Sequence, residues 1–322
     1  MRFLRALLVL LIIMTLCGCH LPANEPISKS GFYFDTMIQI TLYDSKDYSL
    51  IDSCFSYCEE FENLVSRTVE TSDISRINHA AGAPVKVSDT TIELLKTAIY
   101  YGDLTNGAFD ITVAPLTTLW DFKNNPGEVP NADDIVSALS HVNYKTISID
   151  GNTVTMADPL ASIDLGGIAK GYMADRLKSY LKSEGVKSAL INLGGNILTI
   201  GSKSDDSPFR IGIQKPFDEK NATITSVLAS DSSVVTSGSY ERYFKANNQI
   251  YHHILDTKTG YPCDNNLASV TILSNESLTG DILSTACFAL GTEDGMKLIH
   301  SLDDIEAIFI TMDYKIIDSR DK

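Results

Sequence analysis

A chain of 322 residues that is 44% hydrophobic and 21% charged can bury a full core, as one large domain or two lobes, and disorder is not expected of it. Its formal net charge of -15 argues against a nucleic-acid partner, because phosphate backbones are bound by clustered Lys and Arg that this sequence lacks. The acidity reads most simply as a solubility feature.

At the N-terminus, Arg2 and Arg5 precede an apolar run from Ala6 to Leu16 that is too short to span a bilayer and reads as a secretory signal. Leu16-Cys17-Gly18-Cys19 follows, and it resembles a bacterial lipobox. On that reading residues 1–18 are removed and Cys19 becomes a lipid-carrying N-terminus, held to a bacterial membrane outside the cytoplasm. Each buried acyl CH₂ adds roughly 0.8 kcal/mol, so several chains on one residue anchor a domain firmly. An ordinary cleaved signal with incidental cysteines is the alternative. Residues 19–30 are mostly polar, contain Pro22 and Pro26, and read as a tether to a single domain over 31–322.

Alternation predicts a strand or hairpin from Gly31 to Tyr43, and helical spacing predicts a helix from Asp47 to Ser66. A second helix is expected from Asp89 to Leu104, with Ser88 as N-cap and Gly107 beyond its end. "NGAFDITVAPLTTLWDF" reads as a loop, Asn131 to His141 as a short helix, and Asp150-Gly151 as the turn of a hairpin. "ASIDLGG" is expected to end a strand, and Ile168 to begin a helix that carries Tyr172, Leu177 and Leu181 and stops at Gly185. Strands follow at Ala189–Leu193, Asn196–Gly201, Phe209–Gln214 and Thr225–Asp231, then within "QIYHHILDTKTGYP" and "LASVTILS". Helices are expected at Gly280–Leu290 and Glu293–Leu302, before a final hairpin in "IEAIFITMDYKIID". Without a regular βαβ alternation this is α+β, with mixed and antiparallel sheets and packed helices. Cys54, Cys58, Cys263 and Cys287 lack the paired spacing of a zinc site and read as buried thiols, although export would permit a disulfide.

"DLGGIAKGYMAD", from Asp164 to Asp175, has the glycines and the lysine of a phosphate loop. It matches neither familiar pattern: Lys170 precedes Gly171 rather than a Ser or Thr, and Gly166, Gly167 and Gly171 are spaced G-G-x-x-x-G. In "GDILSTACFAL", Asp281 and Thr285 fall one helical turn apart on one face. Such an oxygen pair suits Mg²⁺, although a helix-dipole carboxylate beside a core-facing threonine would read the same way. His252 and His253 precede Asp256 at a strand end, where an imidazole near its ordinary pKa can act as a general base or can simply pack. "SGSYERYF", with Ser237 and Arg242, and "GAFD", with its Phe109, pose the same choice between ligand contact and structure.

Their joint order is more specific. "SDISRIN", "NGAFDITVAPLTTLW", "DLGGIAKGYMAD", "INLGGNI", "SGSYERYF", "YHHILDTKTGYP" and "GDILSTA" together resemble the ApbE family of flavin transferases, from Gly31 to about Ile310. The resemblance implies an ApbE-like, T-fold-like architecture. It also implies an exported, often lipid-anchored enzyme that uses Mg²⁺ and FAD to attach FMN through a phosphoester to a threonine of a partner protein, releasing AMP. The implied acceptor is a flavoprotein, expected to be a membrane electron-transport subunit. Residue by residue, it makes Asp281, Thr285 and the Gly167 carbonyl metal ligands. Asp164, Lys170, Met37, Ala108, Phe109, Asp110 and Leu255 become FAD contacts, Lys170 also acts on phosphate charge, and His253 is the base for the acceptor hydroxyl. Thr257 stands where the family's turn usually has Pro, a change expected to alter only turn stiffness. Thr68 stands where a flavin-contacting Tyr is common, which bears on the balance between transfer and hydrolysis. The alternatives are a Mg²⁺-dependent pyrophosphatase giving FMN and AMP, and a lipoprotein that binds FAD without chemistry.

Overall fold

The structure, a computed structural model, describes residues 25–125, 127–219 and 222–321. The expected signal and the expected lipid-anchor position Cys19 lie outside the described residues. In chain order the elements are β1 (Ile27–Tyr33), β2 (Thr36–Leu42), α1 (Tyr48–Val65), α2 (Asp73–His79), β3 (Val85–Lys86), α3 (Asp89–Leu104), α4 (Ala114–Trp120), α5 (Ala132–Leu139), β4 (Ile147–Asp150) and β5 (Thr153–Met156). There follow α6 (Ala169–Ser183), β6 (Ala189–Leu193), β7 (Asn196–Ile200), β8 (Phe209–Gln214), β9 (Thr223–Ala229), β10 (Ser233–Gly238), β11 (Tyr243–Ala246), β12 (Gln249–His252), β13 (Leu267–Ser274), α7 (Ser277–His300), β14 (Glu306–Thr311) and β15 (Ile316–Asp318).

Eight strands form the central sheet in the order β1-β2-β6-β7-β10-β13-β14-β15, with each neighbouring pair antiparallel. Among the described residues, parallel pairing is confined to an isolated bridge between Val113 and Ser162. The α+β expectation therefore holds. Side-chain alternation along β14 explains the layering. Ala307 and Phe309 join Leu283, Cys287 and Phe288 of α7 on one face, while Ile308 and Ile310 join Phe209, Ile211 and Val227 of the β8–β9 hairpin on the other. Being covered on both sides, the strand is apolar throughout rather than alternating. Helices α1 and α6 extend the helical layer over β2, β6 and β7, where Ile38, Ile40, Ile191 and Leu198 meet Cys54, Cys58 and Leu177.

Several local expectations are borne out by their caps. Ser88 accepts from Thr91 N at 3.2 Å to start α3, and Asp47 accepts from Ser49 N at 2.9 Å to start α1. Gly291, at φ 78°, breaks the last long helix into the two pieces that the sequence suggested. The four described cysteines are buried and unbridged, and burial pushes their thiols up to about 12.

Other expectations are corrected. Strand β1 begins at Ile27, inside the segment assigned to the tether, because Ile27 is a buried residue paired with Leu42 while Ser28 and Ser30 face out from an edge strand. "APLTTLW" is a helix rather than a loop, since Pro115 sits in its first turn, where a missing N–H costs nothing. "ASIDLGG" is not a strand beyond the single bridge at Ser162. A side chain replaces the partner strand there: Asn78 Nδ2 donates to Ile163 O at 2.9 Å and Asn78 Oδ1 accepts from Ile163 N at 2.7 Å. Strand β10, "SVVTSG", is an addition to the expected strands, and it runs straight into "SGSYERYF".

Helices α6 and α7 cross in close contact at Gly171. A Cβ there would lie 2.5 Å from Ser277 O, 2.7 Å from Leu278 Cα and 2.8 Å from Asp281 Cβ. Gly171→Ala is expected to cost about 1–3 kcal/mol by overpacking, read from urea unfolding. Unchanged stability would mean that the two helices are not in this contact.

Candidate active site

The glycine loop and α7 meet at Asp281, whose side chain is almost fully buried. Its Oδ2 accepts from Gly171 N at 2.9 Å, and its Oδ1 lies 3.4 Å from Lys170 Nζ. Lys170 also donates to Gly166 O at 3.0 Å, so its ammonium bridges the loop and the carboxylate. One turn on, Thr285 Oγ1 lies 3.1 Å from Ser237 Oγ, which in turn lies 2.8 Å from Ser284 Oγ. Gly167 stands against Thr285 and Phe109: a Cβ on it would lie 3.7 Å from Thr285 Oγ1 and 3.1 Å from the Phe109 ring. Residues 167, 170, 281 and 285, scattered in sequence, are thus neighbours. Ser237 of β10 belongs with them.

The second wall is "GAFD". Asp164 N donates to Ile111 O at 2.7 Å, which ties this segment to the glycine loop. Phe109 is buried against Gly167, whereas the Asp110 carboxylate is spent on its own loop. It accepts from Thr112 N at 2.7 Å, Thr112 Oγ1 at 2.6 Å and Tyr144 N at 3.0 Å. Burial raises its pKa from the usual carboxylate range. Ala108 next to it is half-buried. Asp164 faces Thr117 Oγ1 at 3.1 Å and Arg67 NH1 at 3.6 Å, and Arg67 also donates to Thr117 and Thr118 at 3.1 Å each. Arg67 went unnoticed in the sequence, although it adjoins Thr68 in the segment that departs from the family pattern.

The two histidines divide their work. His252 Nε2 lies 3.0 Å from Cys263 O and its Nδ1 accepts from Ile254 N at 3.3 Å, so both ring nitrogens hold backbone. Burial lowers its pKa to about 4, and the ring is neutral. His253 Nδ1 is buried and makes no hydrogen bond. Burial, with the nearby charges of Arg242 and Lys170, lowers its pKa to about 3. A neutral imidazole with an open Nδ1 beside cationic groups is suited to accept a proton once an anionic ligand arrives.

The turn after these histidines is braced from below. Trp120 Nε1 donates to Gly260 O at 2.9 Å, and its ring stacks with Phe122 and Tyr251. Leu255 packs with Leu116, Trp120 and Ile135, so its side chain is core. Thr257 does more than soften the turn, as its Oγ1 donates to Gly107 O at 2.7 Å and links the turn to "GAFD". Met37 is 57% exposed on β2, and Gly194 N donates to its carbonyl at 3.2 Å. Among the described residues no hydrogen bond joins Met37 to the Asp281 cluster.

Among the described residues no three His, Cys, Asp or Glu side chains converge on a point. The oxygens brought together are the Asp281 carboxylate, the hydroxyls of Thr285, Ser237 and Ser284, and, through Lys170, the Gly166 carbonyl, a hard-oxygen set of the kind Mg²⁺ uses when waters and substrate phosphates complete its shell. A cation fits here, since Asp281 Oδ1 already faces the ammonium of Lys170 at 3.4 Å.

The ApbE family model matches residues 34–309 of the chain. An FAD:protein FMN transferase of Klebsiella pneumoniae (strain 342) is 40% identical over 91% of this chain and 92% of its own. The FAD:protein FMN transferase of Vibrio cholerae (strain ATCC 39541 / Classical Ogawa 395 / O395) is 33% identical, over 91% and 89%. Among solved structures, the ApbE protein of Thermotoga maritima superposes with TM-score 0.84 at 32% identity, covering 92% of this chain and 97% of that one. The flavin transferase ApbE from Vibrio cholerae superposes with TM-score 0.82 at 30% identity, covering 92% and 97%.

The His252 ring predicts a pH dependence of stability. Below its unfolded pKa of 6.5 the unfolded chain takes up a proton that the folded chain refuses until about pH 4. Its contribution, about 3 kcal/mol, is therefore complete above pH 6.5 and lost as pH falls to about 4. Urea unfolding across that window should show a wild-type slope steeper by about one proton than that of His252→Gln. Equal slopes would contradict the assignment.

Proposed function

The chain belongs to the ApbE family and is a flavin transferase, and from that premise we propose that it moves FMN from FAD to a threonine hydroxyl of a partner protein, with Mg²⁺ bound and AMP released. The observation that carries this reading is the meeting of Asp281, Thr285, Gly167 and Lys170 in one cluster, with a neutral His253 electrostatically close to Lys170.

Asp281, Thr285 and the Gly167 carbonyl would hold the metal, which when bound supplies positive charge against the pyrophosphate of FAD. Lys170 then exchanges its contact with Asp281 for a phosphate oxygen and offsets charge as AMP departs. Phe109 closes the apolar side of the nucleotide site, and Asp164, steadied by Thr117 and Arg67, faces the nucleotide from the loop. His253 takes the proton of the acceptor hydroxyl as that oxygen attacks the FMN phosphorus in line with the leaving AMP. The ring's pKa, held down by Arg242 and Lys170 in the free protein, rises when the nucleotide's phosphates balance those cations.

The same reading puts the chain outside the cytoplasm, anchored through Cys19, with an acceptor among membrane electron-transport subunits. Its support is the lipobox-like Leu16-Cys17-Gly18-Cys19; among the described residues no helix is long and apolar enough to cross a membrane.

The test uses the chain from Ala23 onward, incubated with FAD and Mg²⁺, with and without a threonine-bearing acceptor, while AMP and protein-bound flavin are followed. AMP together with flavin on the acceptor is expected. AMP with free FMN and no labelled acceptor would make the chain a pyrophosphatase, and binding without AMP would make it a flavin carrier. Asp281→Ala should lower metal-dependent turnover by at least about 100-fold, the scale on which loss of a principal electrostatic stabiliser is felt. Unchanged turnover would remove Asp281 from the site.

A further inference from the structure

Helix α7 carries both proposed side-chain metal ligands, yet its own N-cap residue, Glu276, makes no side-chain cap hydrogen bond. A helix start leaves N–H groups unpaired, and a buried start must find acceptors elsewhere. Here they come from α6. Asp175 Oδ1 accepts from Ser277 N at 2.8 Å and Asp175 Oδ2 accepts from Leu278 N at 2.8 Å. The carboxylate thus caps α7 from a neighbouring helix 102 residues away in sequence, and its charge complements the positive end of the α7 dipole. Asn196 of β7 joins the same end, its Oδ1 accepting from Ser277 Oγ.

One turn back along α6, Gly171 N donates to Asp281 Oδ2 at 2.9 Å. Asp175 and Gly171 sit four apart on one face of α6, and they grip α7 at its first turn and at Asp281 one turn on. Two such bonds at one end and one at the other fix both the axial position of α7 and its rotation. A rotation of α7 by a fraction of a turn would carry Asp281 Oδ1 and Thr285 Oγ1 away from Lys170 and Gly167. Among the described residues no hydrogen bond or ion pair links Asp175 to the cluster directly, so its influence on the site passes through α7.

We infer that Asp175 is a positioning residue for the reaction: by capping α7 from α6 it sets where Asp281 and Thr285 stand relative to Lys170 and the Gly167 carbonyl. This rests on the metal-dependent reading above. It also accounts for the far end of "DLGGIAKGYMAD", which has no part in holding phosphate. The motif runs from a residue at the nucleotide to one that aligns the helix carrying the rest of the site.

The test is Mn²⁺ binding to the chain from Ala23 onward, followed by loss of the free-ion electron paramagnetic resonance signal, alongside the Mg²⁺ concentration that gives half-maximal AMP release. Asp175→Ala is expected to weaken both by about 10-fold, the scale on which residues behind metal ligands act. Asp175→Asn, which keeps one acceptor oxygen, should fall between Ala and wild type. FAD affinity in the presence of EDTA should stay within about twofold of wild type, because the loop residues at the nucleotide are untouched. Thermal unfolding is recorded for each variant, and if Asp175→Ala does not fold, the Asn variant carries the comparison. Folded variants whose Mn²⁺ and Mg²⁺ dependence match wild type, whether or not their melting temperature falls, would overturn the inference and leave Asp175 a cap for stability alone. A wild-type chain that binds no Mn²⁺ would overturn the metal-dependent reading itself, and the inference with it.

Discussion

The hydrogen bond from Gly171 N to Asp281 Oδ2 joins the two helices on which the rest of the site depends. It requires a glycine, since any Cβ at 171 would collide with the α7 backbone. It also leaves a buried carboxylate with one oxygen committed to backbone and the other open to a cation. Burying a carboxylate without partners costs several kcal/mol, and here the N–H of Gly171 and the ammonium of Lys170 are its partners. The sheet beneath α7 and the strands under α6 keep this crossing in place, with Phe288 and Phe309 on one side and Ile191 and Leu198 on the other.

Around that crossing the site is assembled from segments that do not form regular structure on their own. "ASIDLGG" is held extended by the side-chain amide of Asn78, and "GAFD" by the carboxylate of Asp110 acting on its own loop and on Tyr144. The turn beyond His253 is pinned by the indole of Trp120 and by Thr257. Such loops approach a ligand with their backbone while polar side chains take over the role of strand neighbours, which satisfies buried N–H and C=O groups without a ladder. The adjacent histidines show the same division: both ring nitrogens of His252 are taken by Cys263 and Ile254, while Nδ1 of His253 has no hydrogen-bond partner among the described residues.

Much of this was legible in sequence, and for identifiable reasons. Asp281 and Thr285 stand one turn apart on any helix, the cap at Ser88 is local, and the β4–β5 hairpin is set by its glycine turn. The glycines and Lys170 of the loop have the right chemistry for a phosphate, although they fit neither of the two familiar loop patterns, because the complementary half of the site lies more than a hundred residues away. What stayed hidden depends on contacts between distant segments. Nothing near Asp110 says that its oxygens will be taken by Thr112 and Tyr144, nor does anything near Leu255 say that it will pack on Trp120. Ile27 looked like linker because its neighbours are polar, and only its pairing with Leu42 makes it a strand. Nothing local marks Asp175 or Arg67, because their partners, Ser277 and Asp164, become neighbours only in the folded chain.

The proposed function requires the glycine loop and α7 to form one cation site at the flavin nucleotide. A crystal of the chain grown with Mn²⁺ and FAD, with diffraction measured at the manganese edge, tests it directly. The account predicts an anomalous peak within bonding distance of Asp281 Oδ1, Thr285 Oγ1 and the Gly167 carbonyl, with Lys170 moved from Asp281 to a phosphate oxygen. Bound nucleotide with the metal elsewhere, or with Lys170 still paired to Asp281, would contradict it.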